Sequence, residues 1–244
     1  MIDIKYSQNF YKNINNLERI IQSLNLKPSD IVLDIGAGTG NITYELAKYS
    51  NNVIAYELDT TLFNRLKERF SEYKNVTLRN TDFLNTKLPT KEFKVFSNIP
   101  FGISSDILKK ITDINSNLKE GYIFVQEQTS QRYMGIPINT QISTILAYRY
   151  EISTVEEFHR DDFKPIPNVD IVLLKIQRKE ILEKDFSLYK DFVTYIFNQR
   201  NSNVIDTFKK LFTFSQLKHI KKYLNMYGYI KPSQIPIEYF LDIF

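Results

Sequence analysis

The tetrapeptide Asn98-Ile99-Pro100-Phe101 combines groups that could hold an aromatic amine for reaction. The lone pair of an exocyclic adenine nitrogen is delocalised into the ring, so this nitrogen is a poor nucleophile. Acceptors for its two N–H groups favour a pyramidal nitrogen, and the Asn98 side-chain oxygen and Ile99 carbonyl could supply them. Pro100 fixes the turn, and Phe101 offers a face for an unstacked base. The alternative is an ordinary Asn-x-Pro turn with a core phenylalanine.

Further towards the N-terminus, residues 31–40 read Ile-Val-Leu-Asp-Ile-Gly-Ala-Gly-Thr-Gly, with Gly36, Gly38 and Gly40 at alternate positions. The apolar residues predict a buried strand that ends in the glycines. Glycines let the backbone lie directly against a ligand. A helix predicted from about Ile42 would point backbone N–H groups into the same crevice. Because a pyrophosphate loop usually has the spacing Gly-x-Gly-x-x-Gly, the pattern predicts either a nucleotide-like ligand or a tight turn without one.

Two acidic residues follow the next predicted strands. Glu57 ends the second strand, where an acid in a nucleotide-binding α/β unit can accept both ribose hydroxyls. Asp82 follows the third strand, from which it could reach an adenine amino group while Phe83 flanks the base. Either carboxylate could instead face water or cap a turn. Since parallel strands end at one edge of a sheet, we expect the glycine loop, Glu57, Asp82 and Asn98 to meet there.

The elements that would position these residues alternate along the chain. Strands are predicted at 31–35, 53–57, 76–78, 93–97, 121–126, 151–158 and 168–177, and helices at 13–24, 42–49, 62–70, 104–112 and 140–148. This alternation predicts an α/β fold, with an open, mostly parallel, Rossmann-like sheet and helices on both faces. Beyond about Arg178, segments 187–199, 201–212, 214–225 and 233–243 predict a small helical domain, which places the domain boundary between residues 178 and 179.

Composition excludes several classes of protein. Of 244 residues, 43% are hydrophobic and 25% are charged, as in ordinary globular proteins. We expect neither a membrane span nor a signal peptide, because no sufficiently long apolar run is present. Cysteine is absent and only two histidines occur, so we expect no metal site. The expected compartment is the cytoplasm.

The net charge of +4 is concentrated in the last quarter of the chain. Residues 175–244 carry 12 Lys and Arg against 7 Asp and Glu. This modest excess favours a polyanionic partner but does not demonstrate one, and on charge alone a solvated helix surface is the first explanation.

In this order, the motifs resemble those of ribosomal RNA adenine N6,N6-dimethyltransferases. The resemblance covers residues 1 to about 178. It rests on Ser7-Gln8-Asn9-Phe10, the glycine loop, Glu57-Leu58-Asp59, Asp82, Asn98-Ile99-Pro100-Phe101 and Phe163-Lys164-Pro165-Ile166-Pro167-Asn168-Val169. Within the family the chain is most similar to the Erm branch, which dimethylates an adenine in 23S ribosomal RNA and confers macrolide, lincosamide and streptogramin B resistance. The KsgA-type branch modifies small-subunit RNA.

The resemblance implies an S-adenosyl-L-methionine-dependent methyltransferase domain over residues 1–178 and a small RNA-binding domain over 179–244. By position, Asn9, Tyr11, Gly36, Gly38, Glu57, Asp82 and Asn98 would line the cofactor site. The target adenine would be held by Asn98, Ile99 and Phe101, with Phe163 stacked on its other face, although the residues alone equally allow Phe163 to be a buried ring. The implied partner is 23S ribosomal RNA with the adenine in a loop or single strand, and we expect a monomer that needs no membrane.

Three departures from the family pattern concern the RNA target more than the chemistry. Phe101 stands where most Erm proteins have tyrosine, which preserves stacking but removes a hydroxyl. Ser97 stands where glycine is usual. Residues 127–137 carry only Arg132 where relatives often have a basic pair.

Other functions fit parts of the pattern. A KsgA-type small-subunit methyltransferase shares the motifs, but the short C-terminal domain argues against it. A DNA adenine methyltransferase would usually show Asp-Pro-Pro-Tyr or Asn-Pro-Pro-Tyr, and a metabolite methyltransferase would not need the Phe163 loop or the basic tail. An inactive, methyltransferase-like RNA-binding protein would have an eroded cofactor site, whereas Gly36, Glu57, Asp82 and Asn98 are all present.

Overall fold

The computed structural model describes residues 9–180, 185–200, 203–225, 228 and 231–244. Its central sheet contains seven strands: β2 (Ile31–Ile35), β3 (Asn52–Tyr56), β4 (Val76–Arg79), β5 (Phe93–Asn98), β6 (Leu118–Gln126), β7 (Tyr150–Phe158) and β9 (Ile171–Arg178). They lie in the order β4-β3-β2-β5-β6-β9-β7. The pairs from β4 to β6 are parallel, and β9 joins β6 antiparallel. The predicted Rossmann-like α/β fold is confirmed.

A separate antiparallel ribbon pairs β1 (Phe10–Tyr11) with β8 (Phe163–Lys164). Sequence patterns did not predict it, because each strand has only two residues and the pairing joins distant parts of the chain. The ribbon brings the N-terminal motif beside the Phe163 loop. Its position matters for the site described below.

The chain forms ten helices over the described residues. They are α1 (Ile14–Ser23), α2 (Asn41–Ala47), α3 (Thr60–Arg69), α4 (Ser104–Ile111), α5 (Glu127–Met134), α6 (Gln141–Leu146), α7 (Phe186–Phe197), α8 (Val204–Phe208), α9 (Phe214–Asn225) and α10 (Ile237–Ile243). None of those helices is long and apolar enough to cross a membrane.

Helix α5 and the ends of two C-terminal helices differ from the sequence predictions. The polar sequence of α5, Glu-Gln-Thr-Ser-Gln-Arg-Tyr-Met, gives no apolar periodicity, so it was not predicted. The helix predicted at 201–212 is the shorter α8, and positions 201–202 lie outside the described residues. The helix predicted from residue 233 begins at Ile237, because Pro236 fixes a non-helical backbone just before it.

The chain divides into two compact units. One runs to Ser130 and includes Ser153–Arg178, and the other contains Gln131–Ile152 and Lys179–Phe244. The predicted boundary between residues 178 and 179 falls at one of the positions where the chain passes from one unit to the other. Residues 131–152, which the sequence analysis placed in the first domain, belong to the second unit. Ile145 of α6 shares an apolar cluster with the residues of α7, and the Tyr189 hydroxyl donates to the Thr144 carbonyl at 3.1 Å. A short amphipathic helix such as α6 does not reveal from sequence which core it joins.

Strands β2 and β5 pair in register at Val32↔Lys94 and Leu33↔Val95. The chain order of the strands reverses here, since β3 and β4 lie on one side of β2 and β5 lies on the other. Such a switch point opens a crevice for a ligand. The fully buried Ser97 side chain joins the ends of β2 and β5, because the Ile35 N–H donates to Ser97 Oγ at 2.7 Å. A residue without a hydroxyl would leave this buried N–H without its partner.

We therefore expect Ser97→Ala to lower the free energy of unfolding by about 1–3 kcal/mol, the usual cost of a buried donor left unsatisfied. Urea denaturation measures the change. The control is Ser71→Ala, which removes an exposed hydroxyl that donates to the Glu68 carbonyl at 3.1 Å; it should change stability by less than about 0.5 kcal/mol. Equal losses in the two variants would contradict a special role for the Ser97 hydroxyl.

Candidate active site

The glycine loop at the end of β2 adopts a backbone path that favours glycine. Gly36, Gly38 and Gly40 have φ angles of 77°, 57° and 82°, a region that other residues rarely occupy. The N–H groups of Gly36 and Ala37 donate to the Tyr56 carbonyl at 2.8 and 2.9 Å. The loop is thereby fixed to the end of β3.

The loop is also tightly enclosed. A Cβ atom on Gly36 would lie 3.3 Å from Pro100 Cδ, and one on Gly38 would lie 2.5 Å from Phe10 Cε1. The first glycine thus meets the tetrapeptide after β5, and the second meets the N-terminal ribbon. A side chain at either position would displace a wall of the crevice.

Glu57 lies beside the loop with only 2% of its surface exposed. Its Oε2 accepts a hydrogen bond from the Gly38 N–H at 2.8 Å, and its Oε1 accepts one from the Asp59 N–H at 2.8 Å. Burial raises the pKa of Glu57, and these two N–H groups oppose the rise by stabilising the charged form. The carboxylate is therefore held in place, with further lone pairs for two vicinal hydroxyl groups.

Asp34 lies two residues before Gly36 and is fully buried. Its Oδ2 accepts a hydrogen bond from Thr43 Oγ1 at 2.6 Å, whereas Oδ1 has no hydrogen-bond partner among the described residues. Burial raises the pKa of Asp34 to about 7; the Glu57 charge adds to the rise, and the Thr43 hydrogen bond opposes it. Asp34 therefore keeps its proton to a higher pH than an ordinary aspartate.

Two adjoining pockets meet at Gly36 and Pro100, which line both. The first is lined by Asn9, Phe10, Tyr11, Leu17, Gly36, Ala37, Thr39, Asn41, Ile42, Asn98, Ile99 and Pro100. The second is lined by Ile35, Gly36, Tyr56, Glu57, Leu58, Thr81, Asp82, Phe83, Pro100, Ile103 and Ile107. The structure thus brings Asn9, Tyr11, Asn98 and Ile99 together on one side of the loop and Glu57 with Asp82 on the other.

Asp82 both lines the second pocket and caps a turn, as its sequence position allowed. Its Oδ1 accepts a hydrogen bond from the Leu84 N–H at 2.9 Å and starts the 3₁₀ turn Phe83–Asn85. Its Oδ2 accepts one from Asn85 Nδ2 at 3.2 Å. These contacts fix the carboxylate at the rim of the pocket, and Phe83 is buried beneath it.

The side-chain amide of Asn98 is oriented by the N-terminal segment. Its Nδ2 donates to the Asn9 carbonyl at 2.5 Å, and Asn9 Nδ2 in turn donates to the Pro165 carbonyl at 2.7 Å. Because the amide nitrogen is engaged, the side-chain oxygen is the group that Asn98 offers to a substrate amine. Residues 1–8, which carry the rest of the N-terminal motif, lie outside the described residues.

Phe163 occupies a different place from the one that the resemblance implied. Its side chain is fully buried, with ring centroids 5.2 Å from Tyr11, 6.0 Å from Phe124 and 6.2 Å from Phe158. No face of the ring is free to stack on a base, so this geometry corrects the adenine-stacking role and matches the buried-ring alternative. The cause is the ribbon register, which sets Phe163 opposite Tyr11.

Two other predicted residues also lie outside both pockets. Gly38 contacts Phe10 and Glu57 instead of lining the pocket surface. Phe101 is half-buried, begins the 3₁₀ turn Phe101–Ile103 and packs partly against the apolar core. Sequence reasoning missed Phe10 and the apolar wall residues Ile103 and Ile107. The motif Gln8-Asn9-Phe10 gave a signal for Phe10, whereas no motif indicated the two isoleucines.

Comparison with known proteins identifies the family. The family model for ribosomal RNA adenine dimethylase matches residues 2–244. The chain belongs to this family. The predicted enzyme class is confirmed with it: this is a ribosomal RNA adenine methyltransferase, and its substrate class is ribosomal RNA.

Relatives of this methyltransferase fall into two groups by name. The rRNA adenine N-6-methyltransferase of Limosilactobacillus reuteri is 32% identical, and the alignment covers 99% of this chain and 95% of the relative. The ribosomal RNA small subunit methyltransferase A of Thermotoga neapolitana is 37% identical over 77% of this chain and 72% of the relative.

Solved structures share the methyltransferase fold. The 23S rRNA methyltransferase ErmE matches with a TM-score of 0.86 and 23% identity, over 96% of this chain and 98% of that one. A dimethyladenosine transferase from Plasmodium falciparum matches with a TM-score of 0.71 and 27% identity, over 96% and 87% of the two chains. Among the described residues of the methyltransferase, no group of three or more His, Asp and Glu could hold a metal ion.

The raised pKa of Asp34 predicts a pH-dependent stability of the methyltransferase. Between the ordinary value of 3.8 and about 7, the folded enzyme holds a proton that the unfolded chain has released. The free energy of unfolding should therefore fall as pH rises through this window, with a limiting slope of about 1.4 kcal/mol per pH unit.

Asp34→Asn keeps an acceptor for the Thr43 hydroxyl but cannot ionise, so it should lose most of this slope and retain the part that Glu57 contributes. Chemical denaturation across the window measures both slopes. The control is Asp106→Asn, which changes an exposed acid and should keep the parent slope. Parallel curves for Asp34→Asn and the parent enzyme would disprove the assignment.

Proposed function

We propose that this enzyme transfers methyl groups from S-adenosyl-L-methionine to N6 of an adenine in 23S ribosomal RNA and thereby confers macrolide, lincosamide and streptogramin B resistance. The observation that carries the choice of RNA is the extent of the likeness. The structure of the 23S rRNA methyltransferase ErmE matches 96% of this chain and 98% of its own, and the rRNA adenine N-6-methyltransferase of Limosilactobacillus reuteri aligns with 99% of this chain. The alignment with the small-subunit enzyme leaves part of each chain unmatched.

The site fits S-adenosylmethionine on the evidence of its own geometry. Gly36 lines both pockets, so its backbone, which carries no side chain, would lie directly against the cofactor. Glu57 would accept hydrogen bonds from the ribose hydroxyls, and Asp82 would accept one from the adenine amine. When bound, S-adenosylmethionine supplies an electrophilic methyl group on a sulfonium sulfur.

The first pocket supplies what the substrate adenine requires. The Asn98 side-chain oxygen and the Ile99 carbonyl would accept the two N6–H groups and localise the nitrogen lone pair. Phe101 lies outside this pocket, directly after Pro100, and would stack on the part of the base that extends beyond it. Phe163 packs on Tyr11 in the core. Asn9, Tyr11 and Asn98 line the same pocket and would also face the cofactor, and Asn9 holds the Asn98 amide. None of these roles needs a strong base or a metal.

The second unit has a surface suited to RNA. The exposed Phe214 ring, 88% accessible, lies on α9 with Lys218 and Lys222, which are also exposed. Lysines beside an open aromatic ring suit a phosphate backbone with an unstacked base. We therefore propose the C-terminal helical region as an RNA-binding domain in a monomeric enzyme.

The second candidate is a small-subunit rRNA adenine dimethyltransferase. It is favoured by the identity with the Thermotoga neapolitana enzyme, 37%, which exceeds the 32% of the Limosilactobacillus reuteri enzyme. An inactive RNA-binding relative is disfavoured, because the glycine loop, Glu57, Asp82 and Asn98 are all present and assembled at one cleft.

Primer extension on ribosomal RNA from cells that express the enzyme tests the target. We expect a new stop at an adenine of the 23S peptidyl-transferase loop, together with reduced macrolide susceptibility. Asn98→Ala should remove both effects at equal protein level, since it removes the side-chain acceptor for N6. A stop confined to small-subunit RNA would establish the second candidate instead. No stop in either RNA, despite bound S-adenosylmethionine, would refute the proposed substrate.

Calorimetry tests the cofactor assignment. Glu57→Ala should weaken binding of S-adenosylhomocysteine by about 1–3 kcal/mol, because hydrogen bonds to a charged acceptor are lost. The control is Glu92→Ala, which removes a carboxylate whose side chain is 63% exposed and pairs with Lys119 at the surface. If the two variants bind equally well, Glu57 does not contact the ribose.

A further inference from the structure

Lys110, in the last turn of α4, makes an unusual set of contacts. Its Nζ donates to the carbonyls of Phe83 and Leu84 at 2.8 Å each, and also to the carbonyl of Thr86. An ammonium group has three N–H donors, and all three are used on backbone acceptors of one short segment. Burial of the amine lowers the pKa of Lys110, and the Asp82 carboxylate opposes this effect.

The segment that Lys110 holds is the one that begins with Asp82. The Lys110 ammonium lies 5.0 Å from the centroid of the Phe83 ring, a distance at which cation and ring attract each other. Carbonyl oxygens that converge on one point repel each other unless a cation lies between them. Lys110 therefore supports residues 83–86 from the side of α4, in addition to the bonds by which Leu84 and Asn85 hold the Asp82 carboxylate.

The adjacent residue shows that this arrangement is not a general property of α4. Lys109 is 60% exposed, and its Nζ lies 3.5 Å from the exposed Asp106 carboxylate, a contact of the kind that contributes little to stability. Lys109 therefore serves as a matched control for Lys110: Lys109 is a surface cation, whereas Lys110 donates to the carbonyls of the loop.

Helix α4 also connects the two halves of the site. It follows the turn Phe101–Ile103 directly, and the Ser104 hydroxyl donates to the Phe101 carbonyl at 2.9 Å. Ile107, one turn before Lys110, lines the second pocket with Asp82. One helix therefore starts at the tetrapeptide that would hold the substrate and ends at the loop that would hold the cofactor's adenine.

We propose that Lys110 is a positioning residue for the cofactor: its three hydrogen bonds hold the 82–86 loop in the conformation that receives the adenine ring of S-adenosylmethionine. This inference rests on the proposed cofactor. It assigns to Lys110 the affinity for the adenosine half of the ligand and no part in the transfer step.

The test compares Lys110→Met, Lys110→Arg and Lys109→Met with the parent enzyme. Methionine preserves the apolar stem but has no donor, and arginine retains donors. Calorimetry with S-adenosylhomocysteine and with adenosine should show about tenfold weaker binding of both ligands to Lys110→Met, as expected for lost charged hydrogen bonds. Lys110→Arg should recover part of the affinity, and Lys109→Met should bind within about twofold of the parent.

A merely structural role is distinguished by two further readouts. An irreversibly unfolded fraction of the variant would lower the number of binding sites and leave the dissociation constant unchanged, and turnover at saturating cofactor would fall with the site number; denaturation curves that match the parent exclude reversible unfolding as the cause. Under the proposal, the site number and saturated turnover stay within about twofold of the parent while the dissociation constant rises. In addition, the losses in Asp82→Asn and Lys110→Met should be less than additive in the double variant, because both act on one contact.

Unchanged affinity in Lys110→Met, or losses that add fully with Asp82→Asn, would overturn the inference about Lys110 alone. If the parent enzyme bound neither S-adenosylhomocysteine nor adenosine, the proposed cofactor itself would be wrong.

Discussion

The close approach of two backbone segments at the switch point of the sheet is the constraint on which the site depends. The register pairs of β2 and β5 end at Leu33↔Val95, and a loop follows each of the two neighbouring strands at the same edge of the sheet. Gly36 then lies against Pro100 so closely that a Cβ atom would be 3.3 Å from the proline ring. Because the two segments touch, a ligand on the glycine loop and a base at Asn98 would be neighbours without any moving part. The two pockets share Gly36 and Pro100, so the proposed donor and acceptor sites would lie side by side, which is the preorganisation that such chemistry needs.

Backbone and carboxyl groups are buried at this edge of the sheet, and hydrogen bonds satisfy most of them. Ser97 accepts the Ile35 N–H that the sheet no longer pairs, and Glu57 accepts the Gly38 N–H. Asp34 is the exception, since one of its oxygens has no partner among the described residues and a second carboxylate lies nearby. Because burial disfavours the charged carboxylate, the pKa of Asp34 is raised. Asp34, which precedes the glycine loop, thus stays buried and hydrogen-bonded to Thr43, and its response to burial is a raised pKa.

Sequence alone predicted those parts of the site that depend on local pattern. Gly36, Glu57, Asp82 and Asn98 each follow an apolar strand, and parallel strands necessarily bring their ends to one edge. The rest depends on long-range pairing. The buried position of Phe163 results from a two-residue ribbon with Tyr11, and the role of Lys110 results from three backbone carbonyls whose direction no residue type encodes. The packing of residues 131–152 with the second unit likewise follows from which apolar core α6 meets.

The departures from the family pattern can now be judged by their position. The Ser97 hydroxyl accepts the Ile35 N–H between β2 and β5. The serine at position 97 therefore concerns the stability of the sheet and leaves the acceptors at Asn98 and Ile99 in place. Phe101, the last residue of the tetrapeptide, has a half-buried ring and lacks only the tyrosine hydroxyl. Neither substitution removes an atom that the transfer to N6 requires. Selection among ribosomal RNAs must therefore depend on surfaces away from the tetrapeptide, and the basic excess of residues 175–244 makes the helical second unit the first place to look for them.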